Sequence, residues 1–157
     1  VPLTGHCLFR KGVASVEDPD TLTALFRRQG LKVTPQRQSI FRVLHGNTTH
    51  PTADAVYAAA RAEMPTISLK TVYETLHRLA VLGKLQQLDV GTGAARFDPG
   101  GPPHHHLVCL SCGAVESVEG EVGEVKLTTG QLHGFVVRHA DIVFHGLCPA
   151  CAARATA

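Results

Sequence analysis

Apolar residues in the first half of the chain recur at helical spacing. Leu22, Leu25 and Phe26 stand at i, i+3 and i+4, and predict a helix capped by Asp20 or Thr21, running to about Gln29 and ended by Gly30. Thr34-Pro35 is a second start signal, a hydroxyl cap followed by a proline whose φ already suits the first turn. Ile40, Val43 and Leu44 give that helix its apolar face. After the loop HGNTTHPT, Thr52 caps a third helix that runs through AVYAAARAE and ends before Pro65. Ser68 caps a fourth, through about Leu82, in which Leu69, Val72, Leu76 and Leu79 form one stripe. Gly83 closes it.

The pattern then changes period. LQQLDV, the turn GTG and AARFD predict a two-stranded hairpin. PGGPP at 99–103 continues neither helix nor strand and predicts a hinge. Beyond it, HHLVCL and GAVESV predict strands, 120–132 a helix, and FVVRHADIVF one or two further strands. Residues before the first helix lack periodicity. The expected organisation is a tail over 1–20, helices and hairpin over 21–98, the hinge, and a smaller unit over 104–157. Short helices followed by a hairpin make a winged helix, in which the last helix of the core enters the major groove. Here that helix is Ser68–Leu82. Burying its leucine stripe leaves Lys70, Thr71, Tyr73, Glu74, His77 and Arg78 outside or at the rim, where Lys and Arg can neutralise phosphates and Thr and Tyr can meet thymine methyls.

Charge sharpens this division. Residues 1–98 carry 12 Lys and Arg against 8 Asp and Glu; residues 99–157 carry 3 against 5. A basic first half fits a polyanion-binding module. Aromatics are only 5% and Trp is absent, which argues against a stacking platform for single-stranded nucleic acid. No stretch approaches the roughly 20 apolar residues of a membrane span, and no signal-peptide pattern opens the chain, so a cytoplasmic protein is expected.

Cysteine and histidine carry the chemistry. Cys109-x-x-Cys112 and Cys148-x-x-Cys151 each present two thiolates from one tight turn, and two such turns suit a closed, structural four-sulfur zinc site. Disulfides and a redox pair are the alternatives. A cytosolic setting disfavours the first, and the second needs only one pair. Cys7, in the tail, is expected to be inert. His104-His105-His106 runs into a strand, so His104 and His106 share one face and His105 points the other way. Asp98, before the hinge, can add an oxygen ligand, and His50, in the loop between the second and third helices, a third imidazole. Imidazole and carboxylate without thiolate suit Fe(II), Mn(II), Ni(II) or Zn(II). No HExxH, no HxE…PCxxC and no glycine-rich phosphate loop is present, so catalysis is not expected.

LKVTPQRQSIFRVL, THPTADAVY, SLKTVYETLHRLAVLGKL, ARFD, HHHLVCLSCG and GLCPAC occur in that order. Together they resemble the ferric uptake regulator (Fur) family of bacterial metal-dependent repressors. The likeness covers about residues 21–152 and is nearest in pattern to the peroxide-responsive branch, because Asp rather than Glu stands at 98. It implies an α+β fold, with a winged-helix DNA-binding domain before a small α/β dimerisation domain, and a homodimer on a pseudo-palindromic operator. It implies structural zinc on Cys109, Cys112, Cys148 and Cys151, and regulatory Fe(II) or Mn(II) on His50, Asp98, His104 and His106. DNA contacts fall on Lys32, Ser68, Thr71 and Tyr73. Two positions depart from the family pattern. Ser117 stands where an acidic ligand is usual, with Glu116 and Glu119 as nearby substitutes. Glu74 follows Tyr73 where Arg is common. His105 and His139 are candidates for a further site. Open alternatives are an iron, manganese or nickel uptake regulator of the same family, and a zinc-stapled DNA-binding module without a sensing site.

Overall fold

The computed structural model describes residues 16–89, 91, 93–99, 104–119, 127–128, 130–136 and 142–155. Four helices come first: α1 (Pro19–Arg28), α2 (Pro35–Leu44), α3 (Ala53–Glu63) and α4 (Leu69–Val81). Thr34, Thr52 and Ser68 cap α2, α3 and α4 through their hydroxyls, as the sequence predicts. The start of α1 differs. Asp18 is its cap, accepting from the Asp20 and Thr21 amides at 3.0 Å, and Pro19 takes the first helical position. The proline has no amide hydrogen to leave unpaired there, which makes Asp18 a better start than Asp20 or Thr21. The folded unit reaches still further back. Val16 is buried in the helical core, and Glu17 pairs with Lys84 at 2.7 Å. Val16 and Glu17, expected in the tail, therefore pack with the helices.

The stripes meet in one core. Leu22 and Phe26 of α1, Ile40, Phe41 and Leu44 of α2, Val56 of α3, and Val72, Leu76 and Leu79 of α4 are fully buried. Phe26 and Phe41 pack edge to face with ring centroids 4.9 Å apart. Thr75 is buried in α4 as well, with its hydroxyl donating to the Thr71 carbonyl at 2.7 Å, while Leu69 lies at the margin. Gly83, at φ +69, supplies the left-handed residue that ends α4.

The hairpin follows as β1 (Gln86–Leu88) and β2 (Arg96–Asp98), paired antiparallel. Phe97 points into the helical core. A three-stranded sheet, in the order β4-β3-β5, then combines β3 (His105–Cys109), β4 (Val115–Val118) and β5 (Val143–Gly146). β3 pairs antiparallel with β4 and parallel with β5. A smaller core of Leu88, Val108 and Val115, with Val143 against it, joins the wing to this sheet. Helix α5 (Pro149–Ala155) carries the last cysteine and has no counterpart in the sequence reading. It is 7 residues long and mostly alanine, so no apolar periodicity announces it. Most of the helix expected over 120–132 lies outside the described residues, and Gln131–Gly134 form turns. Of PGGPP only Pro99 is described, and it is buried. No helix among the described residues is long and apolar enough to cross a membrane.

Candidate metal centres

The first cluster is built at the ends of β3 and β5. Cys109 closes β3. The chain turns through Cys112 and Gly113 and returns with Cys109 N–H donating to the Ala114 carbonyl at 2.9 Å. Gly113, at φ +70, makes the reversal possible. The parallel register sets Cys109 opposite Gly146, and this brings the second pair alongside. The carbonyl of Cys148 accepts from the Cys151 and Ala152 amides, opening α5.

All four sulfurs lie within 4.8 Å of one another, and the four cysteines are free thiols. Cys112 Sγ is 3.7 Å from Cys148 Sγ. Ligands 2.3 Å from a tetrahedral zinc ion stand about 3.8 Å apart, so the cluster has the size of a zinc site. The donors are also electrostatically prepared. The Cys148 amide donates to Cys109 Sγ at 3.3 Å, and this bond, with that from the Cys112 amide, lowers the Cys109 pKa to about 6. Bonding from Ser111 and from Cys148 lowers that of Cys151, and Arg154 also donates to it, at 2.9 Å. The Ala114 amide pulls Cys112 down, but the neighbouring sulfurs outweigh it and hold that thiol at about 11. Four crowded sulfurs cannot all ionise without a cation among them.

The second cluster draws on three separate elements. His50 comes from the α2–α3 loop, Asp98 from the end of β2, and His104 and His106 from the start of β3 and the residue before it. Their donor atoms also lie within 4.8 Å of one another. Asp98 Oδ1 is 3.8 Å from His50 Nε2; Oδ2 is 3.4 Å from His104 Nε2 and 3.7 Å from His106 Nε2. The two β3 imidazoles approach to 3.1 Å through their Nε2 atoms. His50, Asp98 and His106 are no more than 3% exposed. Burial, followed by the opposing pull of Asp98, leaves the His50 pKa below its ordinary value and favours the neutral imidazole that can ligate. Buried ionisable groups of this kind are paired or hold metal, and three imidazoles with one carboxylate fit a divalent ion of the Fe(II) or Mn(II) type.

The structure thus brings together all eight residues that the sequence assigns to metal. The Ser117 hydroxyl lies 3.3 Å from His50 Nε2, beside the cluster; Glu116 and Glu119 are exposed. The ring of His105 packs against Phe144 at 6.3 Å, away from its two neighbours, as strand alternation requires. His139 and Cys7 lie outside the described residues. Arg96, which sequence reasoning missed, reaches both clusters through backbone carbonyls.

On the nucleic-acid side, Tyr73 is 49% exposed on α4, and Lys32 is exposed in the loop before α2. Ser68 and Thr71 are engaged locally: the Ser68 hydroxyl accepts from the Thr71 amide at 3.1 Å and bonds its hydroxyl at 2.9 Å. Glu74 sits 3.8 Å from Lys70, one turn earlier, which offsets part of its repulsion toward phosphate.

A winged helix followed by a cysteine-stapled α/β unit, with a buried imidazole–carboxylate cluster drawing on both, is the build of a metal-dependent DNA-binding regulator. The chain belongs to the ferric uptake regulator family, whose model matches residues 28–145. It is 35% identical over 133 residues to the peroxide-responsive repressor PerR of Staphylococcus saprophyticus, covering 84% of this chain and 89% of that one. To PerR of Staphylococcus aureus it is 33% identical over 129 residues, covering 82% and 87%. The fold is shared with the Helicobacter pylori regulator Fur, at a TM-score of 0.68 and 18% identity over 88% of this chain and 96% of that one. The family's proteins are dimeric DNA-binding regulators, not enzymes.

Proposed function

We propose that the chain is a cytoplasmic, metal-dependent repressor that responds to peroxide. The observation that carries this is the second cluster. Its His50 belongs to the helical half, its Asp98 to the wing, and its His104 and His106 to the sheet beyond the segment 99–103. An ion held by all four fixes the halves, 21–98 and 104–157, in one orientation. Two copies of α4 then stand at the spacing of successive major grooves on a pseudo-palindromic operator. Without the ion the competent arrangement is a minor state, and affinity falls by its fraction. Lys32, Ser68, Thr71 and Tyr73 are the contacts to DNA, and Cys109, Cys112, Cys148 and Cys151 hold structural zinc.

The second copy docks on the outer face of the β4-β3-β5 sheet. Leu107 and Phe144 are register neighbours there, and Leu107, Leu110, Phe144 and Leu147 are all at least 40% exposed.

Fe(II) in the second cluster would supply the reducing electron that peroxide needs, and Mn(II) would not. The likeness to the staphylococcal peroxide-responsive repressors and Asp at 98 support that branch. The test is mass spectrometry after brief peroxide exposure, together with an operator gel shift. A peptide containing His50 or His104 should gain the mass of one oxygen with Fe(II) and not with Mn(II), and DNA binding should be lost only in the first case. Fe(II)-loaded protein that keeps its mass and affinity after peroxide would make a plain metal sensor the better account.

A further inference from the structure

Arg96 stands two residues before Asp98 on β2, and its guanidinium reaches in two directions. Nη2 donates to the Gly113 carbonyl at 2.6 Å, in the turn that closes the first cysteine pair. Nη1 donates to the carbonyl of His50 at 3.4 Å. Nε is buried and has no hydrogen-bond partner among the described residues. The backbone of β2 holds the same loop as well: Phe97 N–H donates to the Pro51 carbonyl at 3.0 Å, within an antiparallel bridge that pairs Arg96 with Thr52. This clamping has an object. His50 lies at φ +48, a backbone conformation that few residues other than glycine hold without outside support.

We propose that Arg96 is a positioning residue that couples the cysteine turn to the imidazole–carboxylate cluster. This rests on the reading that His50, Asp98, His104 and His106 hold a divalent ion. A bound ion fixes His50, the His50 carbonyl fixes the guanidinium, and the guanidinium restrains Gly113. The effect must run both ways, because coupling between two sites is reciprocal. Arginine is required by geometry. Its planar fork holds several donors at fixed angles, so it can bridge two carbonyls on different elements, whereas lysine offers a single nitrogen.

The test uses the full-length zinc-loaded protein and its Arg96→Lys and Arg96→Gln variants, with Mn(II) alone as the ligand. Zinc content is measured by mass spectrometry and Mn(II) affinity by titration. Amide hydrogen exchange is followed at Cys112–Ala114 with and without saturating Mn(II). In the parent, Mn(II) should slow exchange at Gly113 about tenfold, within the range of ordinary coupling. In both variants zinc should be kept and Mn(II) should still bind, but that slowing should shrink to less than twofold. A merely structural arginine would give faster exchange with an unchanged Mn(II) effect, and that result overturns the inference. Loss of zinc from both variants also overturns it, since Arg96 would then hold the cysteine turn rather than link it. A parent that binds no Mn(II) refutes the metal reading itself, whatever the variants do.

Discussion

Replacing Cys148 by Ser tests how the two halves share their stability. Cys148 places its sulfur 3.7 Å from Cys112 and its amide 3.3 Å from the Cys109 sulfur, and its carbonyl opens α5. Among the described residues, the apolar core beneath the sheet is Leu88, Val108 and Val115, with Val143 partly buried. At about 1.5–3 kcal/mol for each buried side chain, these four contribute about 6–12 kcal/mol, and that is an upper bound. Structural zinc contributes on the order of 10 kcal/mol to a small metal-dependent unit. The zinc is therefore worth as much as the whole apolar cluster, and the sheet should not survive its loss. The helical half should. Its core, from Val16 to Phe97, is a separate cluster, and α1 to α4 hold 10, 10, 11 and 13 residues against 7 in α5. The variant should therefore keep most of its helical circular dichroism while becoming monomeric, losing zinc, and exchanging the amides of β3 to β5 freely. All DNA binding should go with the dimer. A zinc-free Cys148→Ser dimer that melts as the parent does, or still answers metal on DNA, would refute this reasoning.

Tyr73→Ala should weaken operator binding by about 1–3 kcal/mol and relax base preference, if the exposed ring meets thymine methyls; equal binding by the parent and variant in a competition gel shift would show α4 to be misassigned. Lys32→Ala should weaken binding at all sequences and lower the slope of log affinity against log salt by about one, read from titrations at several salt concentrations. Stripping the regulatory metal with a chelator that spares zinc should weaken operator binding at least tenfold, about 1.4 kcal/mol, by fluorescence anisotropy. His50 gives a pH signature. Burial first, and the two neighbouring imidazoles after it, outweigh Asp98 and lower its folded pKa below the unfolded value of about 6.5. Its share of stability is therefore full above 6.5 and is lost as the pH falls through the folded value, because the unfolded chain takes the proton first. Urea midpoints of the protein stripped of regulatory metal should fall from pH 7.5 to 5.5, and fall less in His50→Asn, whose side chain tolerates the left-handed backbone.

Features confined to a few neighbouring residues were legible in the chain. The caps at Thr34, Thr52 and Ser68, the leucine stripe of α4 and the divergence of His105 from His104 and His106 all follow from helical or strand geometry within one or two turns. So does each cysteine pair as a two-thiolate turn. The start of α1 was misread for the same local reason. Asp18, Asp20 and Thr21 are all good caps; Pro19 at the first helical position favours Asp18, and the packing of Val16 and the pairing of Glu17 with Lys84 hold the chain there. What joins distant segments was decided by tertiary structure. The parallel register of β3 with β5 carries the second cysteine pair to the first. His50 reaches Asp98 because β2 hydrogen-bonds the loop at Pro51 and packs Phe97 into the helical core. Arg96 lies in the ARFD segment, but its role left no signal, since its acceptors are main-chain carbonyls, which every residue has, and only the fold determines which two of them come within reach of one guanidinium.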